Sequence, residues 1–239
     1  MDPLTISSIT PSGGWTRATV RSVTRPSPRF VVLRLDVEDR VPHLPGQHYV
    51  VRLRDEDGYT ASRSYSVASA PADEAVELCV ERLPDGEVSS FLADVVEVGD
   101  ELEVRGPIGG WFVWDGTAPA MAIGGGTGVV PLVSMLRHAT GHGSRDAVCL
   151  IAAARSLAEL PYSDVIRDGC NVLALSREIS PSGRAPGRLT VADLQPHVRD
   201  GQGYYVCGSA GFAESASRLV VGLGVPATDI RVERFGPTR

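Results

Sequence analysis

Several short stretches of this chain place residue types with binding or redox chemistry at usable spacings. In Arg63-Ser64-Tyr65-Ser66 the guanidinium suits bidentate bonding to a phosphate. Tyr65, two residues along the same strand, shares the face of Arg63 and offers a ring for stacking. The Ser66 hydroxyl suits a bond to a ring nitrogen. In Gly86-Glu87-Val88-Ser89-Ser90-Phe91-Leu92 a glycine permits close backbone approach, and the helix start behind it offers amides and serine hydroxyls to an anion. Gly124-Gly125-Gly126-Thr127-Gly128-Val129-Val130-Pro131 lies between a strand and a helix, where bare amides and the positive helix end suit a pyrophosphate. It lacks the third glycine of the G-x-G-x-x-G pattern. Cys207-Gly208-Ser209-Ala210-Gly211-Phe212 puts a thiol where a strand opens into a helix. Val232-Glu233-Arg234-Phe235-Gly236 ends the last strand with an acid and an aromatic. Taken singly, each also reads as an ordinary strand, a helix cap or a buried cysteine.

The elements that must hold these residues fall into two kinds. From Arg17 to Val104 the chain reads as short strands. They run over residues 29–35, 49–53, 75–80 and 101–104, with turn clusters such as Leu83-Pro84-Asp85-Gly86 between them. That spacing predicts an antiparallel barrel or sandwich, interrupted by one helix near 89–95 whose serines are placed to cap it. After Asp115 the pattern changes to strand and helix in alternation. Strands are expected at 118–123, 147–153, 171–175, 204–207 and 229–234, and helices at 130–139, 161–167 and 210–223. This implies right-handed βαβ units on a parallel sheet, whose ligands sit beyond the carboxyl ends of the strands. The fold class expected is therefore an antiparallel β-barrel over residues 15–115 followed by a parallel α/β domain over 116–239, the two packed directly together.

Composition excludes several chemistries. All 23 basic residues are arginine, so no lysine is present for a P-loop or a Schiff base. Up to Asp115 there are 11 arginines against 19 acids, and beyond it 12 against 10. An acidic protein with a mildly basic second half argues against nucleic acid as a partner and suits a small polyanion in that half. No apolar run reaches the roughly 18 residues of a membrane span. Residues 1–11 lack the basic start and apolar stretch of a signal peptide. Cysteines at 79, 149, 170 and 207 have neither zinc nor iron–sulfur spacing, and no metal is expected. They read as reduced thiols in a cytoplasmic protein.

In this order, over roughly Trp15 to Gly236, the motifs resemble those of the ferredoxin–NADP reductase family. Arg63, Ser64, Tyr65 and Ser66 match its flavin motif. Cys79 and Val80, followed by Gly86, Glu87, Val88 and Ser89, match the segment that holds the flavin pyrophosphate. Thr127 and Gly128 match its nicotinamide-side loop, and Cys207 and Gly208 the segment beside the nicotinamide. Glu233 and Phe235 fall at its near-terminal glutamate and flavin-shielding aromatic, although plant-type members usually carry tyrosine at that last position. The resemblance implies an FAD-binding barrel, an NAD(P)-binding domain and cofactors meeting where the domains join. It implies hydride transfer from NADPH to non-covalent FAD, with Ser66, Cys207 and Glu233 catalytic. Electrons would leave for a separate acceptor such as a ferredoxin or oxygenase component. Ser176-Arg177 resembles the pair with which NADP-using members grip the 2′-phosphate. Arg155 could reach the same sheet edge, and Arg184 and Arg188 could fold over it. Glu178 and Glu159 lie nearby and keep NADH open. Two other readings stay open: a flavin reductase serving free flavin or small acceptors, and a non-catalytic flavoprotein that senses redox state or docks a partner.

Overall fold

A computed structural model describes residues 14–55, 57–169 and 171–236. The N-terminal residues and Cys170, read above for compartment, lie outside the described residues, as does Glu56. The chain divides into two compact units, Met1–Gly110 and Trp111–Arg239. Phe112 and Trp114 pack in the second unit's core.

The first unit is a six-stranded antiparallel sheet. Its strands are β1 (Thr16–Ser27), β2 (Phe30–Val37), β3 (His48–Arg54), β4 (Thr60–Ser66), β5 (Val76–Glu81) and β6 (Glu101–Ile108), in the order β4-β3-β6-β1-β2-β5. The two end strands meet. Val67 bridges Leu78, and the Ala68 amide donates to the Glu77 carbonyl at 2.8 Å. The sheet thereby closes, as the expected barrel requires. Alternate residues point inward, so Tyr49, Val51 and Leu53 of β3 join Leu33, Leu35 and Leu78 in the core. Burying each such side chain contributes roughly 1.5–3 kcal/mol. Helix α1 (Glu87–Asp94) covers one opening with Val88, Phe91 and Leu92. Its last turn is held from β1 by Arg25, which donates to the carbonyls of Ala93 at 2.9 Å and Val96 at 3.3 Å.

The second unit is a parallel sheet of β7 (Ala120–Gly125), β8 (Val148–Ala154), β9 (Val172–Leu175), β10 (Gly203–Ser209) and β11 (Ile230–Phe235), in the order β11-β10-β7-β8-β9. Helices α2 (Val130–Gly141), α3 (Ser163–Gly169), α4 (Val191–Leu194) and α5 (Ala210–Gly222) complete it. Residues of β7 alternate between two cores. Ala120 and Ala122 face the one that includes Leu132, Val133 and Leu136 of α2. Met121 and Ile123 face the one that includes Ala213, Ala216 and Val220 of α5. Strand order reverses between β7 and β10, which makes that crevice the expected ligand position. Among the described residues no helix is long and apolar enough to cross a membrane.

Candidate functional site

In the barrel, β4 carries the first constellation. It is an end strand, and its partner register places Tyr65 opposite Tyr49, Arg63 opposite Val51 and Ser66 opposite His48. Tyr65 packs against the core, yet its buried hydroxyl has no hydrogen-bond partner among the described residues. Burial raises its pKa, against the pull of Arg63. Arg63 is exposed, donates to the Ser62 carbonyl at 2.7 Å, and pairs with no carboxylate among the described residues. Ser66 is buried, and Ser64 is exposed on the same strand parity. On β5, Cys79 is buried and its thiol is pushed up to about 12, chiefly by burial and then by Glu77 and Glu81. Val80 and Val88 are core side chains, so their backbones alone are free to face a ligand.

The serines of α1 act differently from the expected caps. Gly86 is the N-cap, and no side chain caps the first turn. Ser89 Oγ accepts from the Leu83 amide at 3.2 Å and donates to the Gly86 carbonyl at 3.1 Å, while Ser90 donates to the Leu83 carbonyl at 3.1 Å. Both hydroxyls hold the preceding turn against the helix. A Cβ at Gly86 would stand 2.2 Å from Ser89 Oγ and 2.9 Å from Leu83 Cβ, so a larger residue there would push Ser89 out of these bonds. Glu87 accepts from the Tyr59 hydroxyl at 3.1 Å. An uncapped helix start, an unpaired arginine and an orphaned tyrosine hydroxyl form a donor set that fits a flavin ring and its pyrophosphate.

In the second unit the glycine loop and the end of β10 touch. The loop continues β7 as a single 3-10 turn, Gly126–Val129, leading into α2. A Cβ at Gly128 would lie 2.2 Å from the Cys207 carbonyl oxygen. Thr127 is half-buried beside it. A Cβ at Gly125 or Gly208 would strike the Phe212 ring, at 2.5 and 2.8 Å. Register across the sheet sets Cys207 between Gly124 and Glu233. Cys207 is fully buried, and burial followed by the charge of Glu233 pushes its thiol well up. Burial also raises Glu233 to about 7. Its Oε2 is buried without a partner among the described residues, which is costly unless a ligand supplies one. Phe235 is half-buried, opposite Ser209 at the end of β11.

At the sheet's far edge, the Ser176 and Arg177 amides donate to the Ala154 and Arg155 carbonyls at 3.0 and 2.9 Å. Arg155, Ser176 and Arg177 therefore share one strand-end corner. The Arg177 guanidinium is exposed and has no partner among the described residues. The two nearby acids are engaged: Glu178 accepts from the Leu157 amide at 2.6 Å, and Glu159 pairs with Arg155 at 3.8 Å. Arg184, expected over a phosphate, is occupied. It holds Asp193 through two bonds at 2.8 and 2.9 Å and donates to the carbonyls of Ala185, Gly187 and Arg188. All five of its N–H donors are used, which ties the loop to α4 and leaves none for a phosphate.

Residues 18–113 match the family model described as oxidoreductase FAD-binding domain. A Bacillus cereus flavohemoprotein is 29% identical over 214 residues, covering 81% of this chain and 53% of that protein. The chain thus spans about half the length of the flavohemoproteins it matches. A Ralstonia protein, the ferredoxin–NAD(P)+ reductase component of naphthalene 1,2-dioxygenase/salicylate 5-hydroxylase systems, is 26% identical, covering 93% of this chain and 69% of that protein. Among solved structures, a cytochrome P450 reductase from Amycolatopsis superposes with a TM-score of 0.75 at 28% identity, covering 93% of this chain and 70% of that one. The chain carries an oxidoreductase FAD-binding domain and is similar to reductases of the ferredoxin and flavohemoprotein type.

Two contributors to this reductase fold were missed in the sequence. Phe212 fills the space over Gly125 and Gly208; the signal was an aromatic closing a run of small residues after Cys207. Asp193 holds Arg184 and closes a capping box with Thr190; the signal was Thr190-Val191-Ala192-Asp193 itself.

Proposed function

We propose that the chain takes hydride from NADPH onto its FAD and hands electrons to a separate acceptor, a ferredoxin or an oxygenase component. The observation that carries this reading is the buried, partnerless Glu233 Oε2 in register with Cys207, whose strand β10 borders the switch point. The oxygenase-linked relatives support the choice of acceptor. The redox chemistry belongs to the bound cofactors, a hydride donor and an acceptor able to release electrons singly. The chain's residues position and shield. Arg63 and the start of α1 hold the flavin pyrophosphate. Tyr65 stacks on the ring, and the Ser66 hydroxyl donates to the hydride-accepting nitrogen. Cys207 and Glu233 Oε2 fix the nicotinamide's pose, and Thr127 and Gly128 admit its pyrophosphate. Arg155, Ser176 and Arg177 receive the 2′-phosphate that distinguishes NADPH; Glu178 is held by the Leu157 amide, and Glu159 stands 3.8 Å from Arg155 at the same corner.

Ser66→Ala and Cys207→Ala each slow flavin reduction in stopped-flow measurements while the protein stays folded and flavin-loaded. The misplacement involved costs on the order of a hundredfold. Unchanged rates in both variants would remove these residues from the mechanism. Arg177→Ala raises the Michaelis constant for NADPH about ten- to a hundredfold, the worth of one charge-assisted bond. NADH is nearly unaffected. Equal losses with both cofactors, or a wild type that prefers NADH, contradict the assignment.

A further inference from the structure

The loop that leaves β2 for β3 ties one end of the barrel together. Arg40 Nη2 donates to the Pro71 carbonyl at 3.0 Å, and His43 Nε2 donates to the Ser69 carbonyl at 3.1 Å. The Val67 amide donates to the Gln47 carbonyl at 3.0 Å, two residues before Tyr49. Residues 40–43, 47–49 and 67–71 therefore meet at this end. Two donors there have no acceptor. Tyr49 is fully buried, and its hydroxyl has no hydrogen-bond partner among the described residues. Its ring lies so close to Gly106 of β6 that a Cβ there would stand 2.5 Å from Tyr49 Cδ1. Wedged in this way, the ring cannot turn its hydroxyl toward another partner.

Arg40 Nη1 is the second donor, buried and equally without a partner, and no carboxylate pairs with this guanidinium among the described residues. Burial raises the Tyr49 pKa while the charge of Arg40 pulls it down, so the two groups lie within electrostatic reach. Leaving either donor unpaired is costly, the charged one more so. Charge decides what completes the pair. A water molecule would accept from both donors, but it would leave the cation uncompensated and bring two protons that need acceptors of their own. An anion answers the charge and both donors at once. Tyr49 has no exposed surface, so a single-atom ion suits the place and a phosphate does not. Arg40 is only half-buried and makes one hydrogen bond among the described residues, which makes it the side that moves to admit the ion.

We infer that Arg40 Nη1 and Tyr49 Oη bind a chloride ion at this end of the barrel and that the ion stabilises the fold. Thermal melts of the full-length protein as purified test this, with sodium chloride exchanged for sodium gluconate at constant ionic strength so that screening stays fixed. Wild type should melt higher in chloride, by an amount that grows with the logarithm of its concentration once the site fills. Bromide should act as chloride does. Tyr49→Phe keeps the ring and loses one donor to the ion, so its chloride affinity falls about tenfold or more. In gluconate the same variant is at least as stable as wild type, because it buries no orphaned hydroxyl. Arg40→Gln removes the charge and abolishes the chloride dependence. Crystals soaked in bromide should show the ion between these two atoms. The inference is overturned if wild type melts alike in both salts, or if either variant keeps the full chloride response. Bromide found only elsewhere, or a water molecule alone between Arg40 and Tyr49, overturns it as well.

Discussion

Glu233 has the most informative ionisation in the second unit. Burial raises its carboxyl from 4.5 to about 7, so between those values the folded chain keeps a proton that the unfolded chain has lost. Stability then falls as pH rises through that window, because the folded state binds more protons there. Thermal melts across pH 4.5–7 should show this decline in wild type and a flatter profile in Glu233→Gln. The profile of kcat/KM for NADPH should likewise lose an ionisation near pH 7 in that variant. Identical profiles for the two proteins would detach Glu233 from both stability and chemistry. The roles proposed for Arg63 and Tyr65 could be read in the sequence, because strand parity alone puts them on one face. The engagement of Arg184 could not, since it depends on Asp193 arriving nine residues later in a folded loop. The same holds for His43, which sits in a stretch that reads as loop yet is buried with Nε2 3.1 Å from the Ser69 carbonyl.

The site in the second unit depends on how closely two element ends approach. Gly128 stands where the loop after β7 meets the end of β10, and its missing side chain leaves room for the Cys207 backbone. Gly128→Ala places a methyl 2.2 Å from a carbonyl oxygen, and backbone cannot swing aside as a side chain can. The strands' ends must separate, at a cost of about 1–3 kcal/mol. A lowered melting temperature and weakened nicotinamide binding should follow, with flavin retained by the other unit. Wild-type affinity in this variant would mean that the loop does not shape the nicotinamide site. Alternation and turn residues located most of these elements to within a residue or two. Helix α4 escaped because four residues give no periodicity. The true task of the α1 serines was hidden as well, because a hydroxyl's partner depends on the turn before the helix as much as on the helix.

For the whole molecule, the sequence pattern changes from strand-only to alternating near Asp115, and the chain divides into two compact units at Gly110. The sheet order β11-β10-β7-β8-β9 and the closure of the barrel through Val67 and Leu78 were beyond reach of local pattern, since they pair residues distant in sequence. Those two long-range features set where the proposed sites lie: a switch point in one unit and the β4–α1 edge in the other. The proposed reaction passes hydride from a nicotinamide to this chain's own FAD. Anaerobic titration of the purified, flavin-loaded protein with NADPH tests it most directly. The flavin's yellow absorption should bleach with about one equivalent of NADPH, in accordance with two-electron transfer by these cofactors. A flavin that dithionite bleaches but neither NADPH nor NADH does would contradict it.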